Sequence, residues 1–313
     1  MKETIDLYLI SGFLGSGKTT FLQRVLEDFE GKRVGVIVNE FGSIGIDGAI
    51  LEKDGIQLVQ INNGSIFCSC LKGEFVKTLI AFSKEAIDVL FIENSGMADP
   101  SNMHHLLGEL EDKAGRPYNY LGAVCILDAV TFLKHVQVLS PVQNQIAISN
   151  FIVINKIDLV NKFTIDEVKA KVRELNPAAY LYETMYSEIP IQILEEHLMD
   201  NGYMGETSNQ PCNRMVSYSV ECEEELDRAD ITEFIKAIQS KSFRIKGFVK
   251  TGEGWLQIDV VGDYMDIKEG KLSKWDVIAH TKLVVIGKDE NEFLPWMLEQ
   301  WNQYLSVPVK AYE

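Results

Sequence analysis

The sequence predicts an α/β protein built on a doubly wound, mainly parallel sheet, followed by a smaller α+β domain. Three observations carry that expectation. Short apolar runs recur at residues 5–10, 34–38, 58–61, 89–92, 123–127 and 151–154. Most are continuous instead of alternating, as strands are when helices cover both faces of their sheet. The intervals between them leave room for the crossover helices that parallel strands require.

In chain order, the first run leads through a glycine-rich loop into a helix expected over residues 19–29. Further helices are expected over 75–87 and 165–175, between later runs. Residues 1–197 are therefore assigned to one doubly wound domain. The stretch that follows is rich in Gly, Asn, Ser and Pro and has little periodicity, so residues 198–213 are read as a linker. Beyond it, residues 214–220 alternate like a strand and 231–240 carry helical spacing. Residues 243–249, 255–261 and 282–286 read as strands, and 293–304 as an amphipathic helix. Residues 214–313 should form an antiparallel sheet with helices on one face.

Composition narrows the function. At 313 residues, 46% hydrophobic and 24% charged, the chain can bury a full-sized core, which excludes a disordered protein or a disulfide-stapled miniprotein. Thirty Lys+Arg against 46 Asp+Glu give a net charge of -16, with no basic run to neutralise phosphates, so nucleic acid is not an expected partner. The odd number of cysteines, five, does not suggest a disulfide framework. The N-terminus has no signal-peptide pattern and no apolar run is long enough to span a membrane, so the cytoplasm is the expected compartment.

The strongest chemical signal is SGFLGSGKTT, directly after the first predicted strand. Gly12, Gly17, Lys18 and Thr19 satisfy GxxxxGK[ST]. Here Gly12, Gly15, Ser16 and Gly17 would turn backbone N–H groups around a β-phosphate, and the helix behind them aims its positive end at the same charge. Lys18 would reach the β- and γ-oxygens, while Thr19, followed by Thr20, offers a hydroxyl to Mg²⁺. Downstream, FIVINKID places Asn155, Lys156 and Asp158 at the carboxyl end of an apolar strand. A carboxylate at Asp158 can accept from both N1–H and the exocyclic amino group of guanine, whereas adenine would face it with a lone pair. That chemistry predicts GTP over ATP.

The strand DVLFIENSG ends in Glu93, where many phosphate-loop enzymes have an Asp. Asp88 lies at the strand's other end and cannot serve. Glu93 would orient or deprotonate the attacking water, directly or through Mg²⁺, and Gly96 would let the backbone approach the γ-phosphate. Asp47 is a second candidate for the Mg²⁺ sphere. Between these loops, Cys68 and Cys70 can put two thiolates on one side of an extended segment. Two thiolates do not close a tetrahedral zinc site, and Glu40 is the nearest oxygen donor in this arrangement. Cys125 reads as core, and neither Cys212 nor Cys222 has a companion histidine. His104 and His105 should lie on a helix with their side chains apart, so at most one can join a site. His135, His197 and His280 are isolated.

Together GFLGSGKTT, NEFGSIGID, the cysteine turn after NNG, ENSGMADP and NKID resemble the ordered motifs of the CobW-like GTPases, in the G3E class of phosphate-loop GTPases. RIKGFV, GWLQIDVV and KLVVIG extend the resemblance into the tail. It implies that residues 12–20 bind nucleotide phosphates, that Glu93 stands in the place of the usual Asp, and that Asn155, Lys156 and Asp158 read guanine. It also places Glu40 and Asp47 in a first nucleotide-sensitive switch. One departure stands out: the family's CxCC follows an Asn-Gly pair directly, whereas here Asn63 and Gly64 are followed by Ser65, Ile66, Phe67 and Cys68.

The function expected from these residues and the resemblance is a GTPase metallochaperone. Mg²⁺ and GTP would order the switches, Cys68, Cys70 and Glu40 would hold Zn²⁺ or Co²⁺, and hydrolysis would release the metal to a client metalloprotein. The alternative is a regulatory GTP switch acting on a corrinoid-dependent or other cofactor-dependent partner without handling free metal. A homodimer is compatible with either. A small-molecule kinase using ATP is disfavoured by Asp158.

Overall fold

The computed structural model describes residues 3–29, 31–39, 56–61, 72–137, 139–203, 216–262, 264–270, 279–287 and 292–312. They fall into two units, 3–203 and 216–312.

The first unit holds strands β1 (Ile5–Ser11), β2 (Val34–Asn39), β3 (Ile56–Ile61), β4 (Val89–Glu93), β5 (Tyr118–Asp128), β6 (Phe151–Asn155) and β7 (Tyr180–Glu183). They form one sheet in the order β3-β2-β4-β1-β5-β6-β7, every neighbouring pair parallel. Its helices are α1 (Lys18–Asp28), α2 (Lys72–Phe82), α3 (Met103–Gly108), α4 (Phe132–His135), α5 (Ser140–Ile148), α6 (Lys162–Leu175) and α7 (Ile191–His197).

The central strand shows why the apolar runs are continuous. Tyr8 and Ile10 join Phe21, Leu22 and Val25 of α1 and Leu194 of α7 in one core. Leu7 and Leu9 point the other way, toward Phe75 and Leu79 of α2, Met103 and Leu106 of α3, and Ile148 of α5. Successive side chains of a strand face opposite sides, so two covered faces demand apolar residues at every position. Because all strands run parallel, their carboxyl ends share one edge, the edge at which open α/β sheets bind ligands.

Elements of this unit differ from expectation in several places, three of them informative. Helix α2 covers 72–82 instead of 75–87, since the Ser83 hydroxyl donates to the Ile80 carbonyl at 2.7 Å and offers that acceptor a local alternative to the helical ladder. Strand β5 begins at Tyr118, five residues before its apolar run, because its first half is only partly covered. Strand β7 was not expected, being a four-residue, partly exposed edge strand with no apolar run.

Residues 198–203, at the start of the segment read as a linker, lie on the first unit. Leu198 is buried in the core that includes Leu194. Gly122, at φ 123°, faces the Met199 carbonyl so closely that a Cβ would sit 2.6 Å from its oxygen. His104 Nε2 lies 3.0 Å from Asp200 Oδ1. Residues 204–213 are outside the described residues.

The second unit contains β8 (Val216–Cys222), α8 (Arg228–Gln239), β9 (Ser242–Thr251), β10 (Gly254–Val261), β11 (Tyr264–Glu269), β12 (Thr281–Gly287), α9 (Phe293–Tyr304) and β13 (Lys310–Tyr312). The strands form an antiparallel sheet in the order β11-β10-β9-β12-β8-β13. Ile231, Phe234, Ile235 and Ile238 of α8 and Phe293, Met297 and Trp301 of α9 share one core with the sheet. The Asp227 carboxylate caps α8 by accepting from the Ala229 and Asp230 amides. The edge strands β11 and β13 were not expected from the sequence, and their exposure is the reason: neither needs an apolar run.

Candidate functional site

The loop between β1 and α1 is shaped by three glycines with positive φ: Gly12 at 132°, Gly15 at 71° and Gly17 at 109°. Space forbids a side chain at two of them. A Cβ on Gly12 would lie 2.3 Å from the Ile126 carbonyl oxygen, and one on Gly17 would lie 2.6 Å from both Asn155 Nδ2 and Ser187 Oγ. Gly12→Ala is therefore expected to destabilise the protein by about 2 kcal/mol or more, combining backbone strain with overlap against β5. Urea unfolding checks this; an unchanged midpoint would show that the loop tolerates the methyl.

Helix α1 starts from Gly17 with no side-chain cap, so its first N–H groups remain available to an anion. Lys18 is buried and its Nζ donates to the Phe13 carbonyl at 3.1 Å, curling over the loop. The Ser16 hydroxyl is buried with no hydrogen-bond partner among the described residues. Thr20 is exposed on α1.

Across the sheet edge, Thr19 Oγ1 donates to Glu93 Oε1 at 2.8 Å, joining the phosphate loop to the carboxyl end of β4. Glu93 is 3% exposed. Gly96, three residues on, abuts the phosphate loop itself: a Cβ there would lie 2.7 Å from the Leu14 amide nitrogen. The close approach predicted at Gly96 is thus made to the backbone of the loop that would hold the phosphates.

The residues of NKID divide their labour. Asn155 Nδ2 donates to the Ser16 carbonyl at 2.8 Å and to Ser187 Oγ at 2.9 Å, while Asn155 Oδ1 accepts from the Ser187 amide at 2.9 Å. Ser187 Oγ in turn donates to the Gly17 carbonyl at 3.0 Å. Asn155 is thereby committed to holding the β6 and β7 loops on the phosphate loop. Lys156, in the left-handed region at φ 63°, places its Nζ 2.8 Å from Asp128 Oδ2 at the end of β5. Asp158 lies in a 3-10 turn (Ile157–Leu159), exposed and with no hydrogen-bond partner among the described residues.

Two residues here escaped the sequence reading. Asp128 ends the run AVCILD and pairs in register with Asn155, the same strand-end position that drew attention to Asn155. Ser187 had no comparable signal, because it follows a strand with no apolar run. It is fully buried at φ 55°, next to Tyr186 at φ 53°. Such strained non-glycine geometry persists where surrounding bonds over-determine it.

Glu40, Asp47, Cys68 and Cys70 lie outside the described residues, as does Cys212. Among the described residues no group of three His, Cys, Asp or Glu side chains is placed to hold a metal. Burial pushes the Cys125 thiol up to about 12, against the opposing pull of the Lys18 charge, so it stays protonated in the core. Cys222 is also a buried free thiol. Four of the five histidines have partners: His104 lies against Asp200, His135 against Phe13 of the phosphate loop, His197 stacks on Tyr180 and His280 lies near Glu221, while His105 is exposed.

A glycine-shaped loop leading into a helix, a buried lysine bonded back to that loop and a carboxylate at the end of the neighbouring strand define a phosphate-loop nucleotide-binding protein. The chain belongs to the CobW/HypB/UreG nucleotide-binding family, whose domain matches residues 6–183. Residues 215–295 match the C-terminal domain of the cobalamin synthesis protein cobW. Among relatives, a zinc chaperone CobW from Sinorhizobium sp is 36% identical over 104 residues, covering 31% of this chain and 29% of that protein. The zinc-regulated GTPase metalloprotein activator 1 of Saccharomyces cerevisiae is 31% identical over 228 residues, covering 64% of this chain and 53% of that protein. The chain thus spans less than a third of the first relative's length and about half of the second's. Among solved structures, the Zn(II)-bound YjiA GTPase from E. coli is 21% identical with a TM-score of 0.46, covering 97% of this chain and 99% of that one.

Proposed function

We propose that this protein hydrolyses GTP with Mg²⁺ and couples turnover to binding and delivering a transition metal, zinc or cobalt, to a client metalloprotein in the cytoplasm. The observation that carries the GTPase reading is the Thr19–Glu93 hydrogen bond, which joins the phosphate loop to the buried carboxylate of β4. Asp158, exposed at the same sheet edge, supplies the guanine acceptor.

Mg²⁺ fits the residues present, since Thr19 and Glu93 set a hydroxyl and a carboxylate side by side, both hard oxygen donors. Thr19 and Asp47 would hold it, and it would neutralise charge on the β- and γ-oxygens. The chain's own residues do the rest. The backbone from Gly12 to Gly17 and the N-terminus of α1 bind the phosphates, and Lys18 exchanges the Phe13 carbonyl for phosphate oxygens. Glu93 orients the water whose oxygen attacks the γ-phosphorus as the bond to the bridging oxygen breaks, leaving GDP and phosphate.

Metal delivery is supported by the names of the relatives, zinc chaperones and a zinc-regulated activator. Its ligands would be Cys68, Cys70 and Glu40. The altered cysteine spacing after Asn63 and Gly64 favours the second reading, a GTP switch acting on a cofactor-dependent partner. Competition titration with Zn²⁺ and Co²⁺, on the nucleotide-free, GDP-bound and GTP-analogue-bound protein, separates the two. Metal delivery predicts retention that shifts with nucleotide and falls at least about tenfold in the Cys68→Ser, Cys70→Ser double variant. Metal affinity that ignores both nucleotide and cysteines would leave the switch.

A further inference from the structure

The loop that follows Glu93 is gripped from behind by two adjacent side chains of α5, neither of which belongs to a recognised motif. Gln145 is 1% exposed, and its Nε2 donates to the Gly96 carbonyl at 3.2 Å and to the Ala98 carbonyl at 2.9 Å. Asn144 Nδ2 donates to Asp99 Oδ2 at 2.6 Å. Asp99 is fully buried, and its Oδ1 accepts from both the amide and the hydroxyl of Ser101. Within the loop, Asn94 Nδ2 donates to the Ala98 carbonyl at 3.3 Å.

These bonds act on a segment whose opposite side touches the phosphate loop, where Gly96 leaves no room for a Cβ above Leu14. Peptide planes are rigid, so a donor that holds the Gly96 and Ala98 carbonyls also fixes the Met97 and Asp99 N–H groups that share their planes, while the Ala98 amide is held within the loop by the Ser95 carbonyl at 3.0 Å. The loop next to the phosphate loop is thus positioned by α5, through the side-chain amides of Gln145 and Asn144.

We propose that Gln145, assisted by Asn144, is a positioning residue that sets the Gly96–Asp99 backbone for γ-phosphate recognition, and so governs discrimination of GTP from GDP and the rate of hydrolysis. The proposal rests on the GTPase reading above. It separates the loop's role from the binding of the β-phosphate and the base, which the Gly12–Thr19 loop and Asp158 serve without contact to Gln145.

The test compares the unaltered full-length protein with Gln145→Met, similar in length and volume but without the donors, and with Asn144→Ala. Affinities for fluorescent GDP and a non-hydrolysable GTP analogue are measured alongside single-turnover hydrolysis of GTP. The expected result in Gln145→Met is GDP affinity within about threefold of the unaltered protein, with analogue affinity or hydrolysis lowered at least about tenfold, the scale of two lost buried hydrogen bonds. Asn144→Ala should show the same split to a smaller degree. Parallel losses of GDP and analogue binding, tracking a lowered unfolding midpoint, would mean a purely structural role and overturn the proposal. Unchanged discrimination and rate would overturn it as well. If the unaltered protein neither prefers nor hydrolyses GTP, the GTPase reading fails and takes this inference with it.

Discussion

Asp158→Asn is expected to weaken GDP and GTP binding by ~10²–10⁴-fold and to shift base preference from guanine toward xanthine. Asp158 is exposed at the carboxyl end of β6 with no protein partner among the described residues, so the substitution leaves the fold untouched. Its two carboxylate oxygens match the paired donors of guanine. Asparagine keeps one acceptor but turns an amino group toward the exocyclic amine, setting donor against donor. A hydrogen bond to a charged group is worth ~1.5–3 kcal/mol, and losing one while leaving the exocyclic amine unpaired, at a further ~1–3 kcal/mol, gives the range stated. Xanthine carries an oxygen at that position and should gain what guanine loses. Titration with GDP, ADP and XDP checks this. Guanine affinity within threefold of the unaltered protein would remove Asp158 from base recognition.

The second large effect is expected at Glu93. Glu93→Gln retains an oxygen that can accept from Thr19, so the link between phosphate loop and β4 survives while the charge and basicity are lost. Nucleotide binding should hold and hydrolysis should slow by ~10²–10⁴-fold, the usual contribution of a positioned acid or base. Phosphate release in a single turnover reads this directly. A rate equal to that of the unaltered protein would leave Glu93 as a structural partner of Thr19.

Much of the site was legible from local chemistry. Gly12 and Gly17 declare themselves because backbone at positive φ and close approach both require glycine, and the lysine and threonine behind them have few other uses in that order. Glu93 and Asp158 could be placed because apolar runs mark strands, and parallel strands put their carboxyl ends at one edge. Asn155 was read as a contact to guanine, and the structure adds a link that no spacing signalled: its amide spans Ser16 and Ser187. Ser187, Asn144 and Gln145 carried no usable signal. Each acts through a partner distant in the chain: Ser187 reaches Gly17, and Gln145 reaches Gly96 and Ala98.

The sequence by itself determined the class of fold and the chemistry at the ends of its central strands, because burial on two faces and cramped, positive-φ backbone leave direct marks on residue type. Only the tertiary structure decided which polar side chains hold those ends together. Asparagine and glutamine amides bond to backbone carbonyls that every residue possesses, so their partners leave no mark in composition or spacing. Asn155 at the phosphate loop and Gln145 at the Glu93 loop are joined to their targets by the place of β6 in the sheet and the packing of α5 against it, a relation that exists only once the chain has folded.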